Sequence, residues 1–396
     1  MRKNVLIIPS WLSLKGIKGS FFREQADILN DRFDMRFLYG VEKKYNFFRA
    51  LKLILKFKTL FCFKKFEEKS TYYLFDYPSF NFLSIAFNHK IKKKFYKENL
   101  IRIMRVDKFQ PDLIHGQSTF DGGIISLYIS IVFQLPYIIT EHNLFLLHNV
   151  DEIRKKESVM ALENASHVLV VSYDKARQIL MHNISIKPIV IGNMINDKLF
   201  NYQPKREHSE FVILIVGHFS FIKDYDTFFE AMRILKEISV ARFKIICLGY
   251  NAWNDTDNTD RISSLAKSYD VFNVSFIGIV DRSKINEYYW NADLFVLTSI
   301  AEGLPISVLE ALACGTPVFS THCGGVEDVI NNDNGRLVPI KDAASLAKEI
   351  NLFFEEKLKF DNEKISENIL SKYSSKVFAD NLSKVYNDSI SSNNKA

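Results

Sequence analysis

The sequence predicts an α/β protein made of two doubly wound domains, and three observations support this prediction. The chain has 396 residues, and because one hydrophobic core usually stops growing before that length, at least two domains are expected. Short apolar runs alternate with helical stretches along nearly the whole chain, as in parallel sheets with helical crossovers. The alternation is interrupted at FNYQPKREHSE, Phe200 to Glu210, where Pro204 and a polar cluster indicate a linker.

Twelve apolar runs are predicted as strands, and they divide equally between the two halves of the chain. In the first half they are VLIIP, MRFLYG, DLIH, YIIT, HVLVV and PIVI; in the second they are FVILIVG, FKIICLG, VSFIG, DLFVLT, TPVFS and GRLVP. The predicted domains are residues 1–200 and 201–396, and the pattern leaves open that the terminal helices cross back to the first domain. Because doubly wound domains bind ligands at the carboxyl ends of their strands, we expect the active site in a cleft between the domains.

One segment could be mistaken for a membrane span, because Gly122 to Thr140 (GGIISLYISIVFQLPYIIT) contains no charged residue. Gln134 and Pro136 interrupt this run. The segment is therefore predicted to be a buried helix that ends near Phe133, followed by the strand YIIT.

The composition is that of an ordinary globular protein, with 47% hydrophobic and 25% charged residues. The cysteines lack the paired spacing of a zinc site or a redox motif and are predicted to be core thiols in a reducing compartment. They are Cys62, Cys247, Cys314 and Cys323. The apolar run after Arg2 and Lys3 is too short for a signal peptide, so a cytoplasmic location is expected.

Charge is distributed unequally along the chain. Residues 1–200 carry roughly 31 Lys and Arg against roughly 19 Asp and Glu, whereas the remainder is mildly acidic. The excess is densest in Lys43 to Phe66 and His89 to Lys97, where lysines alternate with aromatic and aliphatic residues. Two interpretations remain open: a solvated basic face on a packed helix, or a surface that contacts anionic lipid. No nucleic-acid-binding module is visible, so nucleic acid is not expected as a partner.

The stretch Ala301 to Pro339 is the most informative part of the sequence. The strand DLFVLT leads into a turn at Gly303 and a helix with Pro305 in its first position. The unpaired amides at such a helix start form an anion site that suits a diphosphate. Glu302 can then accept hydrogen bonds from sugar hydroxyls, and Glu310, two turns inside the helix, from ribose hydroxyls. The spacing of two glutamates alone would mean little.

The residues around these glutamates make the pattern specific. The stretch resembles the signature of the retaining GT-B glycosyltransferases of glycosyltransferase family four. The matching positions are Glu302, Gly303, Leu304, Pro305, Glu310, Ala311, Gly315, Pro317, Val318, Gly324, Gly325, Asn334, Gly335, Val338 and Pro339. A second match is VGHFSFIKDYDTFFEAM, in which Lys223 falls where the family has its phosphate lysine. His218 stands in place of the usual arginine.

The resemblance implies a GT-B fold, that is, two Rossmann-like domains facing a central cleft. It implies retaining transfer of a hexose or N-acetylhexosamine from a nucleoside-diphosphate sugar, with UDP favoured, to a lipid-linked or saccharide acceptor, without a metal or other cofactor. The implied catalytic residues are Lys223, His218, Glu302 and His142. The implied donor-binding residues are Gly16, Gly19, Gly217, Gly249, Gly303, Leu304, Pro305, Ile306, Ser307 and Glu310. His115, near a further landmark, is expected to be a satisfied strand-end histidine.

Two Asp-x-Asp pairs could instead indicate a metal-dependent transferase. Asp224-Tyr225-Asp226 opens a predicted helix and is interpreted as a cap, and Asp255-Thr256-Asp257 is interpreted as a solvated loop. Gly16-Ile-Lys-Gly19 does not fit the dinucleotide fingerprint, and no phosphate-loop motif is present. A sugar-nucleotide epimerase or phosphorylase of the same fold, and an inactive scaffold in a polysaccharide assembly complex, remain as alternatives.

Overall fold

The computed structural model describes residues 2–13, 19–47, 63–143, 145, 147–204, 210–239, 242–249 and 259–393. The chain divides into two compact units. The first unit comprises Met1–Val171, Lys175–Ile191 and Ala379–Ala396, and the second comprises Ser172–Asp174 and Gly192–Phe378.

The division differs from the predicted boundary at residue 200, because residues 192–200 belong to the second unit. Gly192 has a φ of +75, which favours glycine, and a Cβ there would lie 2.5 Å from the Tyr373 ring. Phe200 is buried, with its ring centroid 5.9 Å from that of Tyr289. These contacts link distant parts of the chain, so the local composition around Pro204 could not show them.

The first unit contains an eight-stranded sheet in the order β3-β4-β2-β1-β5-β6-β7-β8. Its strands are β1 Lys3–Pro9, β2 Phe33–Tyr45, β3 Phe63–Glu67, β4 Thr71–Phe80, β5 Leu113–Gln117, β6 Tyr137–Glu141, β7 His167–Val170 and β8 Ile189–Val190. All neighbours are parallel except β3, which is antiparallel to β4. The helices along this part of the chain are α1 Ser20–Leu29, α2 Ile85–Val106, α3 Ile124–Phe133, α4 Glu152–Glu163 and α5 Tyr173–Leu180.

Strands β3 and β4 were not predicted. The sequence of β4, TYYLFDYPSF, contains a proline and an acidic residue and lacks the aliphatic run that identified the other strands. Its aromatic side chains nevertheless fill the core: Tyr72, Tyr73 and Phe75 are all buried. Aromatic residues favour strands when neighbouring elements cover them, and that covering is a tertiary property.

The uncharged segment Gly122 to Thr140 forms a buried helix and a strand, as predicted. Helix α3 ends at Phe133, and Gln134 caps it in the left-handed conformation with φ 54. Strand β6 follows directly and is buried throughout. In the part of the chain that the structure describes, no helix is both long and apolar enough to cross a bilayer.

The second basic stretch, His89 to Lys97, lies within α2. Lys92 forms an ion pair with Asp121 at 2.5 Å, and Lys93 forms one with Glu157 at the same distance. The apolar side of the helix, including Phe95, is buried in the core of the first unit. Lys92 and Lys93 therefore support the interpretation of this stretch as a basic face on a packed helix. Most of the first basic stretch, residues 48–62, lies outside the described residues.

The second unit contains a six-stranded parallel sheet in the order β11-β10-β9-β12-β13-β14. Its strands are β9 Phe211–Val216, β10 Phe243–Leu248, β11 Val274–Ile277, β12 Leu294–Leu297, β13 Val318–Thr321 and β14 Gly335–Val338. Each lies within a predicted run, except that β13 extends one residue beyond the run TPVFS. Its helices are α6 Tyr225–Ile238, α7 Thr259–Ser268, α8 Ile285–Trp290, α9 Ile306–Ala313, α10 Ala343–Phe354 and α11 Asn362–Tyr373. The last helix, α12, spans Ser375–Asn393.

Three of the four cysteines are confirmed as core thiols, because Cys247, Cys314 and Cys323 are buried and free. Burial raises the pKa of the Cys247 thiol well above its ordinary value, so the thiol stays protonated. Cys62 lies outside the described residues.

Candidate active site

The strand order of the second unit determines where a ligand can bind. Strand β9 pairs with β10 on one side and with β12 on the other. The strands that follow β9 are therefore added first on one side of it, as β10 and β11, and then on the other, as β12 to β14. Loops that leave the carboxyl ends of strands at such a switch point diverge and leave a crevice. The loops at this point are residues 217–224 and 298–305, which contain seven of the fourteen predicted catalytic and donor-binding residues.

Lys223 and Glu302 form an ion pair across these two loops. The Lys223 Nζ donates to Glu302 Oε1 at 2.6 Å, and the two side chains retain 16% and 15% exposure. Ser299 Oγ donates to the same carboxylate oxygen at 2.7 Å. The loops are tied by backbone as well, because Ile300 N donates to the Ile222 carbonyl at 2.7 Å. Two predicted catalytic residues, 79 positions apart, therefore meet in a partly accessible pair.

Gly217 and Gly249 provide space for this lysine. A Cβ on Gly217 would lie 3.2 Å from Lys223 Cε, so the lysine side chain passes directly over that residue. A Cβ on Gly249 would lie 2.1 Å from the Gly217 carbonyl oxygen, closer than any real contact allows. Both glycines were predicted to bind the donor. In the structure they allow β9 and β10 to end close together beneath Lys223.

Helix α9 begins one residue later than predicted. Pro305 has φ −67 and ψ 124 and is the N-cap, because its extended ψ lies outside the helical range. The helix starts at Ile306, and the amides of Ile306 and Ser307 belong to its first turn, where backbone N–H groups lack intrahelical acceptors. The preceding carbonyl, that of Leu304, accepts a hydrogen bond from Asn193 Nδ2 at 2.8 Å. An anion site at this helix start stays a prediction.

The Gly-Gly turn supports the loop that carries Glu302. Glu302 and Gly324 form an isolated parallel bridge, and Glu302 N donates to the Cys323 carbonyl at 2.6 Å. Gly324 has φ +114, which favours glycine. A Cβ on Gly325 would lie 1.6 Å from the Gly303 carbonyl oxygen. The two backbones are in direct contact, and no side chain fits between them.

Glu310 is held by protein partners, which the sequence did not indicate. It is only 3% exposed, accepts a hydrogen bond from Tyr289 Oη at 3.0 Å and forms an ion pair with Arg282. The Arg282 guanidinium also lies over the Phe200 ring, 4.8 Å from its centroid. Burial and the neighbouring carboxylate raise the pKa of Tyr289 well above its ordinary value, so Tyr289 stays a hydrogen-bond donor. Any ribose hydroxyl would have to share Glu310 with these two residues.

Arg282 and Tyr289 were missed by sequence reasoning. Both lie in DRSKINEYYWNAD, between the strands VSFIG and DLFVLT, where an arginine in a loop and a tyrosine in a short helix carry no distinctive spacing. The only available signal was their position, after one sheet strand and before the strand that leads to Glu302.

His218 follows Gly217 in the loop that carries Lys223 and is half-buried.

The acidic pair in Asp224-Tyr225-Asp226 is confirmed as a helix start. Asp224 caps α6 by accepting hydrogen bonds from Thr227 N at 3.4 Å and Thr227 Oγ1 at 2.6 Å. Asp255 and Asp257 lie outside the described residues.

In the first unit, His142 follows the carboxyl end of β6. Its Nε2 lies 2.7 Å from Gln117 Oε1 at the end of β5, and its ring packs edge-on against Phe21 at 5.0 Å. Since an amide oxygen can only accept, this contact requires a proton on Nε2. Gly19 caps α1 with φ +73. Gly16 lies outside the described residues.

His115 is a satisfied core histidine, as expected. Its Nδ1 lies 2.7 Å from Tyr386 Oη and its Nε2 lies 2.7 Å from Thr140 Oγ1. Complete burial, and secondarily the neighbouring His142, lower the pKa of His115 to about 3. The ring is therefore neutral at physiological pH and has a structural role.

The sequence is similar to those of known glycosyltransferases. Residues 197–377 match the family described as Glycosyl transferases group 1. A Bacillus subtilis (strain 168) glycosyltransferase assigned to teichuronic acid biosynthesis, TuaC, is 26% identical over 276 residues, 65% of each chain. The Campylobacter jejuni N,N'-diacetylbacillosaminyl-diphospho-undecaprenol alpha-1,3-N-acetylgalactosaminyltransferase is 30% identical over 177 residues, 44% of each chain. The chain therefore spans less than two thirds of the length of these relatives.

Solved structures extend the likeness over nearly the whole chain. Sucrose-phosphate synthase from Thermosynechococcus elongatus matches with a TM-score of 0.77 at 19% identity, covering 99% of this chain and 100% of that chain. Anabaena Alr3699/HepE in complex with UDP matches with a TM-score of 0.70 at 15% identity, covering 98% and 100%. The fold is GT-B, as the resemblance implied. Over residues 197–377, the chain is similar to the glycosyl transferases group 1 family.

Proposed function

We propose that this protein is a retaining glycosyltransferase that uses a nucleoside-diphosphate sugar, with UDP favoured. It transfers a hexose or N-acetylhexosamine to a lipid-linked or saccharide acceptor in bacterial surface polysaccharide synthesis. The observation that supports this most strongly is the Lys223–Glu302 pair, which lies at the switch point beside the start of α9. The names of the relatives, which include polysaccharide and undecaprenol-linked glycan transferases, favour the same acceptor class.

In this mechanism the donor diphosphate binds between Lys223 Nζ and the first amides of α9. An ammonium has three N–H donors, and its pairing with Glu302 uses one of them. As the bond from the anomeric carbon to the phosphate oxygen breaks, negative charge grows on that oxygen, and these groups stabilise it. The leaving oxygen takes the proton from the acceptor hydroxyl while that hydroxyl bonds the anomeric carbon on the same face.

Other residues orient the donor in this proposal. Glu302 accepts hydrogen bonds from sugar hydroxyls, and His142 contacts the sugar and its phosphate. His218 assists Lys223 at the diphosphate. Lys223 and the helix start supply the positive charge that a metal ion would otherwise contribute, so we propose that no metal is required.

A panel of radiolabelled nucleotide sugars, offered with a lipid-linked acceptor, tests the proposal. We expect label to enter the lipid fraction with one donor, with retention of anomeric configuration and without loss on addition of EDTA. Conversion of the donor without an acceptor product would instead indicate an epimerase, and consumption only with inorganic phosphate a phosphorylase. Binding without any conversion would indicate an inactive scaffold.

The His218→Arg variant should keep or raise turnover. A guanidinium presents five N–H donors where a neutral imidazole presents one, so an arginine should bind the diphosphate at least as well. Initial rates at saturating donor are the measurement, with His322→Arg, on an exposed histidine of the same unit, as the control. A collapse of turnover in His218→Arg alone would show that the histidine has its own role, such as proton transfer.

The Glu310→Gln variant should raise the donor KM by about tenfold and change kcat little, because ribose contacts are nearly the same in the ground and transition states. The sharper measurement compares a UDP-sugar with its 2′-deoxyribose analogue. If Glu310 binds the ribose diol, the variant should lose most of the discrimination that the wild type shows. A variant that still discriminates fully would show that the buried carboxylate serves only Arg282 and Tyr289.

We also propose that the protein works in the cytoplasm, bound peripherally to the inner face of the cell membrane. A lipid-linked acceptor would require access to a bilayer, and the excess of Lys and Arg in residues 1–200 favours an anionic surface.

A further inference from the structure

Three elements of the first unit begin or end at one edge of its sheet. Strands β2 and β4 are in parallel register up to the pair Tyr45 and Phe80, where both end, and α2 starts soon afterwards. Four large apolar side chains are exposed around these ends. They are Phe47, Phe82, Ile85 and Phe87, with exposures of 56%, 48%, 53% and 49%. We refer to these four residues as the aromatic edge.

Two rings of the aromatic edge are in contact, and neighbouring hydrogen bonds hold the backbone around them. The ring centroid of Phe82 lies 5.5 Å from that of Phe47 and 5.6 Å from that of Phe80. Phe80 is fixed by Asn88, whose side chain accepts from Phe80 N at 2.9 Å and donates to Phe80 O at 3.0 Å. Ser84 caps the start of α2 by accepting from Phe87 N. Grouped apolar side chains of this kind indicate an interaction surface, whereas single exposed ones do not.

Basic residues lie on the same elements as the aromatic edge. Exposed lysines lie near the end of β2, at Lys43 and Lys44, and in the first half of α2, at Lys90 and Lys94. Two exposed acidic residues lie on the same strands, Glu42 on β2 and Asp76 on β4, and Asp76 is 3.9 Å from Lys43. From Phe47 the sequence continues as FRALKLILKFKTLFC, residues 48–62, which contains four basic residues and no acidic one.

We propose that the aromatic edge and its four lysines insert into the interfacial layer of an anionic membrane. Aromatic rings sit at the boundary between headgroups and acyl chains, while lysines extend their ammonium groups to anionic headgroups. The carboxyl ends of strands are also where a doubly wound domain binds ligands. The same edge would therefore hold the bilayer beside an incoming lipid-linked acceptor, an argument that rests on the proposed function.

Sedimentation of the full chain with vesicles tests this surface. We expect binding to vesicles that contain phosphatidylglycerol and little to pure phosphatidylcholine. Part of the binding should survive high salt, because ionic screening weakens lysine contacts but not the burial of rings. The double variant Phe82→Ser/Phe87→Ser should lose the salt-resistant part, about tenfold in bound fraction. Phe272→Ser, which removes a 69% exposed ring from the second unit, is the matched control and should bind as the wild type does.

Two results would overturn the proposal: no binding of the wild type to anionic vesicles, or unchanged binding of the double variant. Sedimentation velocity identifies the alternative occupant, because a dimer that the same variant disrupts would assign the aromatic edge to a second copy of the chain. UDP binding by calorimetry separates a failure of the membrane proposal from a failure of the proposed function. Variants that bind UDP normally are folded, whereas failure of the wild type to bind any nucleotide would refute the proposed function and leave the membrane result standing.

Discussion

Turnover should fall by about two to three orders of magnitude when Lys223 is replaced by alanine. In the proposed reaction this ammonium faces the oxygen on which charge develops, and its contribution is larger in the transition state than in the ground state. The structure shows that the group is fixed in advance: Glu302 holds its Nζ, and Gly217 leaves space for its stem. Single-turnover rates at saturating donor measure the effect without interference from product release.

The Lys236→Ala variant is the control for this experiment. Lys236 is also a lysine of the second unit, but it forms a half-exposed ion pair with Asp270 and should be nearly neutral for activity. A rate for Lys223→Ala equal to the wild-type rate would remove Lys223 from the mechanism. Lys223→Arg separates charge from geometry, because the guanidinium keeps the charge but does not fit over Gly217 in the same way.

The Gly325→Ala variant should lose about 3 kcal/mol of unfolding free energy, a cost within the upper range for a single substitution that forces two backbones apart. The added methyl group would lie 1.6 Å from the Gly303 carbonyl oxygen, so either the Gly-Gly turn or the Glu302 loop must move. Displacement of that loop should also weaken UDP binding. Thermal unfolding, followed with and without UDP, measures both effects.

The matched substitution is Gly217→Ala. Its Cβ would lie 3.2 Å from the flexible end of Lys223, so the side chain can give way and stability should be nearly unchanged. Activity should nevertheless fall, because Lys223 would be displaced. Equal unfolding temperatures for Gly325→Ala and the wild type would show that the contact between the two loops relaxes without cost.

Features that depend on local sequence were predictable here. All six strands of the second unit were found because each is a short aliphatic run bounded by turn residues. The turn and helix start at the candidate site followed from Gly303, Pro305 and the helix after them, which specify these features without reference to the rest of the chain. The cap at Asp224 followed in the same way from an acidic residue at a helix start.

The sequence by itself thus determined the α/β class, most strands and, through the resemblance, the candidate site residues other than Arg282 and Tyr289. Only the tertiary structure decided which of them meet. Lys223 and Glu302 form a pair because β9 and β12 are neighbours, and strand order is not encoded in either segment alone. Glu310 is enclosed by Arg282 and Tyr289 because α8, which carries Tyr289, packs against α9. The aromatic edge likewise could not be recognised from the sequence, because whether a phenylalanine is buried or exposed depends on the elements that pack around it.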